Sequence, residues 1–246
     1  MMSRHGAIAL LLTLTVLLGA SPGIPGPVLA QSKSRPAPPR GLPPNRAQPG
    51  GGLDEALQSC GAEDALTALV PVNSPVLTTQ AHPTFFFYIP DLPERVKTAQ
   101  FSLLTADEKT RVYRTTVTLA DTPGIISIQL PDSAETALEL EAIYHWYFQL
   151  DCQSPTGEST PGFDLFVDGW VQRVAATPER QQQIAAGSPE IWHDVLAATA
   201  AAIAADPGSA DLQARWLSLL ATADLEVVSG AVLLGSATAI GHSSLR

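Results

Sequence analysis

Cys60 and Cys152, the histidines His82, His145, His193 and His242, and the acids Asp151, Asp164 and Asp168 are the side chains here with the means to do chemistry. A two-cysteine metal site needs histidine or further cysteine close by, and none stands at zinc-like spacing. The pair is therefore read as a disulfide if the chain is exported, or as two separate buried thiols if it is not. A serine nucleophile has no frame: Gly-x-Ser-x-Gly is absent, and Ser229-Gly230 and Gly235-Ser236 lie in an apolar stretch with no strand–turn–helix around them. Asp164 and Asp168 share a strand face, but a spacing of four separates their Cα atoms by about 13 Å. They cannot chelate one ion together. Asp151, one strand earlier, is placed to oppose one of them in a Ca²⁺-binding acidic cluster, although solvated strand acids are the simpler reading. A glycosidase needs two carboxyls about 5–9 Å apart in a cleft, and no pattern demands that. His193 and Asp194 are helix neighbours that point to different faces, so they form no dyad. Phosphate loops and dinucleotide fingerprints are missing. The expectation is no catalytic residue, no cofactor and no metal.

Those residues acquire meaning from the compartment. Arg4 and His5 precede an apolar, uncharged run from Ala7 to Ala20, then Ser21, Pro22, Gly23, Pro25, Gly26 and Pro27, then Val28-Leu29-Ala30. That is the grammar of a signal peptide cut after Ala30. The run holds about 14 residues, short of the roughly 20 a spanning helix needs. Residues 31–52 follow as a basic Pro/Gly-rich linker expected to bury nothing. Five of the 14 basic residues (Arg4, Lys33, Arg35, Arg40 and Arg46) and none of the 24 acids precede Leu53. The remainder is strongly acidic, which argues against nucleic acid and anionic lipid as partners.

The elements come next. Residues 53–175 are broken by turns every eight to twelve residues, the rhythm of an antiparallel β-sandwich of Ig-like kind. Strands are predicted at 66–70, 84–89, 100–105, 112–119, 124–130, 143–152 and 164–174. In the 143–152 strand, Tyr144, Trp146, Phe148, Leu150 and Cys152 share one face, and His145, Tyr147, Gln149 and Asp151 the other. Cys152 thus sits in core phase, able to meet Cys60 arriving from ahead of the first strand. Phe166 and Trp170 are phased opposite Leu165, Val167 and Val171. They form either an aromatic face for a partner or a surface that the helices cover. Gly169 marks a bulge or a close backbone approach. Residues 176–226 read as a helical appendage. Thr177-Pro178-Glu179 and Ser188-Pro189-Glu190 are start signals, and Asp206-Pro207-Gly208 is a break. Residues 227–246 read as an apolar segment and frayed tail.

Several of these pieces fall in a familiar order. They are Leu66-Thr67-Ala68-Leu69-Val70-Pro71, His82-Pro83-Thr84-Phe85, Phe87-Tyr88-Ile89-Pro90 and Tyr113-Arg114-Thr115-Thr116. Pro123-Gly124-Ile125, Trp146-Tyr147-Phe148, Gly169 to Val174 and Ile191 to Asp194 complete the set. From Leu66 to Val227 the chain resembles the exported bacterial family known as domain of unknown function number 928. The resemblance implies a secreted or envelope protein with both cysteines in its framework, and it supplies no activity. The expected function is a non-enzymatic envelope protein that binds, or helps assemble, another envelope or surface protein. A carbohydrate- or Ca²⁺-binding surface module is the second reading, and a hydrolase the third.

Overall fold

The computed structural model describes residues 41–49, 60–62, 64–152 and 165–242. The expected signal segment, the start of the linker, Asp164 and the loop after Gln153 lie outside the described residues. Aromatic and β-branched runs between prolines and polar turns become strands. They are β1 (Thr67–Ala68), β2 (Val76–Thr78), β3 (Thr84–Ile89), β4 (Thr98–Thr105), β5 (Arg111–Thr118), β6 (Gly124–Gln129), β7 (Ile143–Leu150), β8 (Phe166–Arg173), β9 (Leu233–Ser236) and β10 (Thr238–His242). Three helices stand between β8 and β9: α1 (Pro178–Ala186), α2 (Trp192–Ala205) and α3 (Ala210–Ala221). A 3₁₀ turn, Pro189–Ile191, leads into α2.

The strands make a four-stranded sheet, β1-β3-β6-β9, and a six-stranded sheet, β10-β5-β4-β7-β8-β2. Both are mixed, which corrects the antiparallel expectation: β2 runs parallel to β8, and β9 parallel to β6. Three-residue β2 has no readable period of its own and is defined only by its distant partner. β9 and β10 fall in the stretch read as an apolar segment and frayed tail, where Gly235, at φ 86° within β9, interrupts the alternation. β3 to β8 lie within two residues of their expected ends.

The core holds the inward phases of both sheets. Phe87 of the small sheet stacks on Phe148 of the large one, with ring centroids 4.1 Å apart at 12°. Phe85 lies 4.9 Å from Phe101 and 6.0 Å from Trp146. Gly169 faces Trp146 across β7 and β8, and a Cβ there would stand 2.5 Å from the indole. The close approach is real, and Trp146 is its cause. Cys60 and Cys152 stand at disulfide distance with Cα atoms 4.9 Å apart, tying the chain ahead of β1 to the end of β7.

The first helix start follows the predicted chemistry, whereas Ser188 makes no side-chain cap bond and leads only into the 3₁₀ turn ahead of α2. The Thr177 side chain accepts from the Arg180 N–H at 3.3 Å, and Gly187, at φ 77°, closes α1. α2 is anchored at its first turn. Trp192 donates from Nε1 to the Leu69 carbonyl at 2.7 Å, and Asp194 accepts from Thr78 Oγ1, Thr79 Oγ1 and the Thr79 N–H. These bonds hold the helix against the ends of β1 and β2.

The stretch read as a linker is not idle at its end. The Arg46 N–H donates to the Asp168 carbonyl at 2.8 Å, beside β8 in the large sheet. The Ala68 N–H of β1 in the small sheet donates to the Ala47 carbonyl at 2.7 Å. Asn45 is buried and donates from Nδ2 to the carbonyls of Pro71 and Asn73. Residues 45–47 therefore stitch one edge of the two sheets together. Composition concealed this because the bonds are made by backbone and one amide, with partners far along the chain.

Candidate functional site

Alternation along β7 and β8 sends His145, Tyr147, Phe166, Asp168 and Trp170 to the outer face of the large sheet. Register pairs His145 with Trp170 and Tyr147 with Asp168. The His145 ring stacks on Trp170 at 3.9 Å and 8°. It places Nδ1 2.7 Å from Glu108 Oε1 and Nε2 3.0 Å from Asp168 Oδ2. Glu108 comes from the β4–β5 hairpin tip, where its φ of 57° bends the turn back over the sheet. Tyr147 donates to Glu108 Oε1 at 3.2 Å. Arg46 closes the far side, its Nε 3.4 Å from Asp168 Oδ1 and its guanidinium 4.9 Å from the Phe166 ring centre. The result is a chain of side-chain contacts, Glu108–His145–Asp168–Arg46.

This cluster is arranged to hold itself together. A ring that carries a proton on both nitrogens donates to both carboxylates at once, whereas a neutral ring donates to only one. The carboxylates bind opposite edges of the imidazole, so they do not converge on a shared ion. Among the described residues no group of three or more His, Cys, Asp or Glu side chains is placed to hold a metal. Burial, then the Glu108 charge, push the Tyr147 phenol up to about 12, so it serves as a donor and not as a base. Bound at both nitrogens, the imidazole has none to spare as a base for a nucleophile. Its clear product is mechanical, since Asp168 and Arg46 fix the N-terminal strap on β8.

His193 is the opposite case. It is buried at 2% exposure with its ring edge-on to Phe85 at 5.0 Å, and neither ring nitrogen makes a hydrogen bond of good geometry. Burial lowers its pKa to about 4, against the pull of neighbouring Asp194 and the Thr84 backbone. Asp194 is occupied with Thr78 and Thr79, so the two form no dyad. His82 staples a loop through the Ser133 carbonyl at 3.0 Å.

The open concavity lies elsewhere. On the face of β3 and β6 that carries Phe86 and Ile125, both buried, a concavity opens toward α2, α3 and the segment 229–236. Between them runs a groove of about 630 Å³ with Trp216 in its wall and Val232, 65% exposed, at its lip. Not one of its lining residues is ionisable.

Residues 48–233 match the family described as Domain of Unknown Function (DUF928). The chain belongs to this family. No curated protein matches the sequence.

The DUF928 region takes in both cysteines, β1 to β8, all three helices and most of the groove, but begins two residues after Arg46. The strap that completes the outer cluster lies just ahead of it. Cys60 and Cys152 are brought together as expected. Phe166 and Trp170 do not form an exposed aromatic face. Trp170 is 6% exposed, covered by His145, and its backbone N–H donates to Asn45 Oδ1 at 2.8 Å, while Phe166 is half-buried beside Arg46. The cover is a histidine and the strap, not the helices. Asp168 is buried and paired instead of solvated. Asp151 is not opposite Asp168, for the register sets Tyr147 there, and it accepts from Thr98. Asn45, Arg46 and Glu108 were missed because loop residues carry no period. The groove had a signal: Ala197, Ala200, Ala201 and Ala204 recur at helical spacing on α2.

Proposed function

We propose that this is an exported cell-envelope protein, built on an Ig-like β-sandwich, that works by binding another envelope component, a protein in the first instance, and does no chemistry of its own. One observation carries the reading. The groove between the small sheet and α2–α3 is an open concavity lined without a charged side chain, unlike the other clefts among the described residues, while the outer cluster is spent on the chain's own strap. The paired cysteines fit an oxidising compartment, and no helix among the described residues is long and apolar enough to cross a membrane. Buried Trp170 takes away the platform a carbohydrate module would use.

Immobilised protein should capture a defined partner from an envelope fraction, and Ala200→Phe in the groove wall should release it with the melting curve unchanged. If His145→Gln abolishes capture in a folded protein while Ala200→Phe does not, the working surface is the cluster and this reading fails.

A further inference from the structure

Resting on the reading of the groove as the surface for a protein partner, we infer that the partner enters it as one extended, uncharged segment that adds to β9 as a fifth strand of the small sheet. The order β1-β3-β6-β9 ends at β9, which has no strand on its far side among the described residues. The bonds of a parallel pair are slanted, so a residue bonds to the neighbours of the one opposite it. Ile125 lies opposite Leu233, and its N–H donates to the Val232 carbonyl at 2.8 Å. Leu233 therefore turns its own N–H and C=O away from β6. Leu233, Gly235 and Ser236 of this strand all line the groove. A strand edge with unpaired peptide groups is a template for another chain.

The rest of the lining has the chemistry of peptide recognition. Ala200, Ala201 and Ala204 of α2 leave room for main chain beside the sheet. Thr84, Ser127, Gln129, Gln213, Ser229 and Ser236 carry hydroxyl or amide groups, which donate to peptide carbonyls and accept from peptide N–H groups. A wholly apolar occupant would strip water from these groups and return no bond. Charge sets the composition of the segment. The other three clefts each carry Arg, Lys, Asp or Glu, whereas this one carries none. A charged side chain entering here would meet no counter-charge, so the segment that fits is uncharged. β9 has four residues, and the paired core of the incoming strand has about the same length. Main-chain bonds then supply affinity, and alternate side chains supply selectivity.

The test places the whole exported protein on an array of acetylated, amidated octapeptides of Val, Thr, Ser and Ala. A subset should bind saturably at one peptide per chain. In that complex the Leu233 amide should exchange with solvent at least tenfold more slowly, while the Ala237 amide, already bonded to the Ser127 carbonyl, keeps its rate. Leu233→Pro removes the outward donor and spares the bonds to β6, as proline does on an edge strand. It should weaken peptide binding at least tenfold with the melting curve unchanged. Ser236→Lys, which sets a charge in the lining, is the second variant if the first does not fold. Leu217→Ser, an exposed α3 position outside the groove, should leave binding unchanged. Binding by no peptide, an unprotected Leu233 amide in the complex, or full affinity in a folded Leu233→Pro or Ser236→Lys overturns the inference. If the envelope partner is lost in Ala200→Phe but still captured by folded Leu233→Pro, this inference falls and the binding reading stands.

Discussion

The two outward faces of this protein end in opposite states. On the large sheet, His145 has a carboxylate at each ring nitrogen and a tryptophan beneath it, and Asn45 and Arg46 of the strap lie against Trp170, Phe166 and Asp168. On the small sheet, Phe86 and Ile125 face helices that stop short of filling the space, and a groove remains. Polar residues in a precise constellation thus mark the closed face, while bland alanines mark the open one. Chemistry-bearing residues are a poor guide to function when their partners are one another.

The largest expected effect tests the layer on which both faces rest. Trp146 is fully buried between Phe85, Phe87 and the bare backbone of Gly169. Trp146→Ala should cost about 3–5 kcal/mol in urea denaturation and weaken both faces together. If only one face suffers, the sheets are more independent than their shared core implies.

The next prediction concerns the buried histidine of α2, His193. Unfolded, His193 titrates near 6.5; folded, it stays neutral to about 4. Between those values the unfolded chain binds the extra proton, so stability must fall as pH drops from 6.5 toward 4. The full loss is about 3 kcal/mol. His193→Phe keeps the contact with Phe85 and removes the proton. Melting curves of the two proteins from pH 7 to 4 should diverge, the variant holding its stability; parallel curves would show that the ring is not buried neutral.

A smaller change should loosen the closed face. Asp168→Ala leaves both His145 and Arg46 without their shared acceptor and should cost about 2 kcal/mol. It should also speed amide exchange at Asn45 and Arg46. Slow exchange there in the variant would mean that the backbone bonds alone hold the strap.

The smallest effect belongs to the open face. Ala204→Phe enters free space and should move stability by no more than about 0.5 kcal/mol either way. A cost near that of Asp168→Ala would show that the groove is packed, and the contrast between the faces would vanish.

Much of this was legible. Period-two alternation placed Trp146, Phe148 and Cys152 in the core and His145 and Tyr147 outside it, because a strand's faces are fixed by parity alone. The helix start at Thr177 was readable because caps are local. Partners across the chain were not. Nothing near Arg46 names Asp168, and nothing in β8 says that β2 will run beside it in parallel. The groove is harder still, since it is made by what small side chains leave out.

The place of β2 has a consequence for how the protein must be made. A chain that emerges N-terminus first presents Arg46 and β2 early, yet their partners in the large sheet are Asp168 and residues 171–173. Through the appearance of five further strands, β3 to β7, β2 lacks its partner in the large sheet. It waits as exposed, extended backbone, the state in which strands seek the wrong neighbour. Assembly is therefore back-loaded: the early segments are sealed only when β8 arrives. A chain delivered slowly through a narrow exit would spend longest in that unsealed state, and a holdase at the exit would matter most between the appearance of β2 and that of β8.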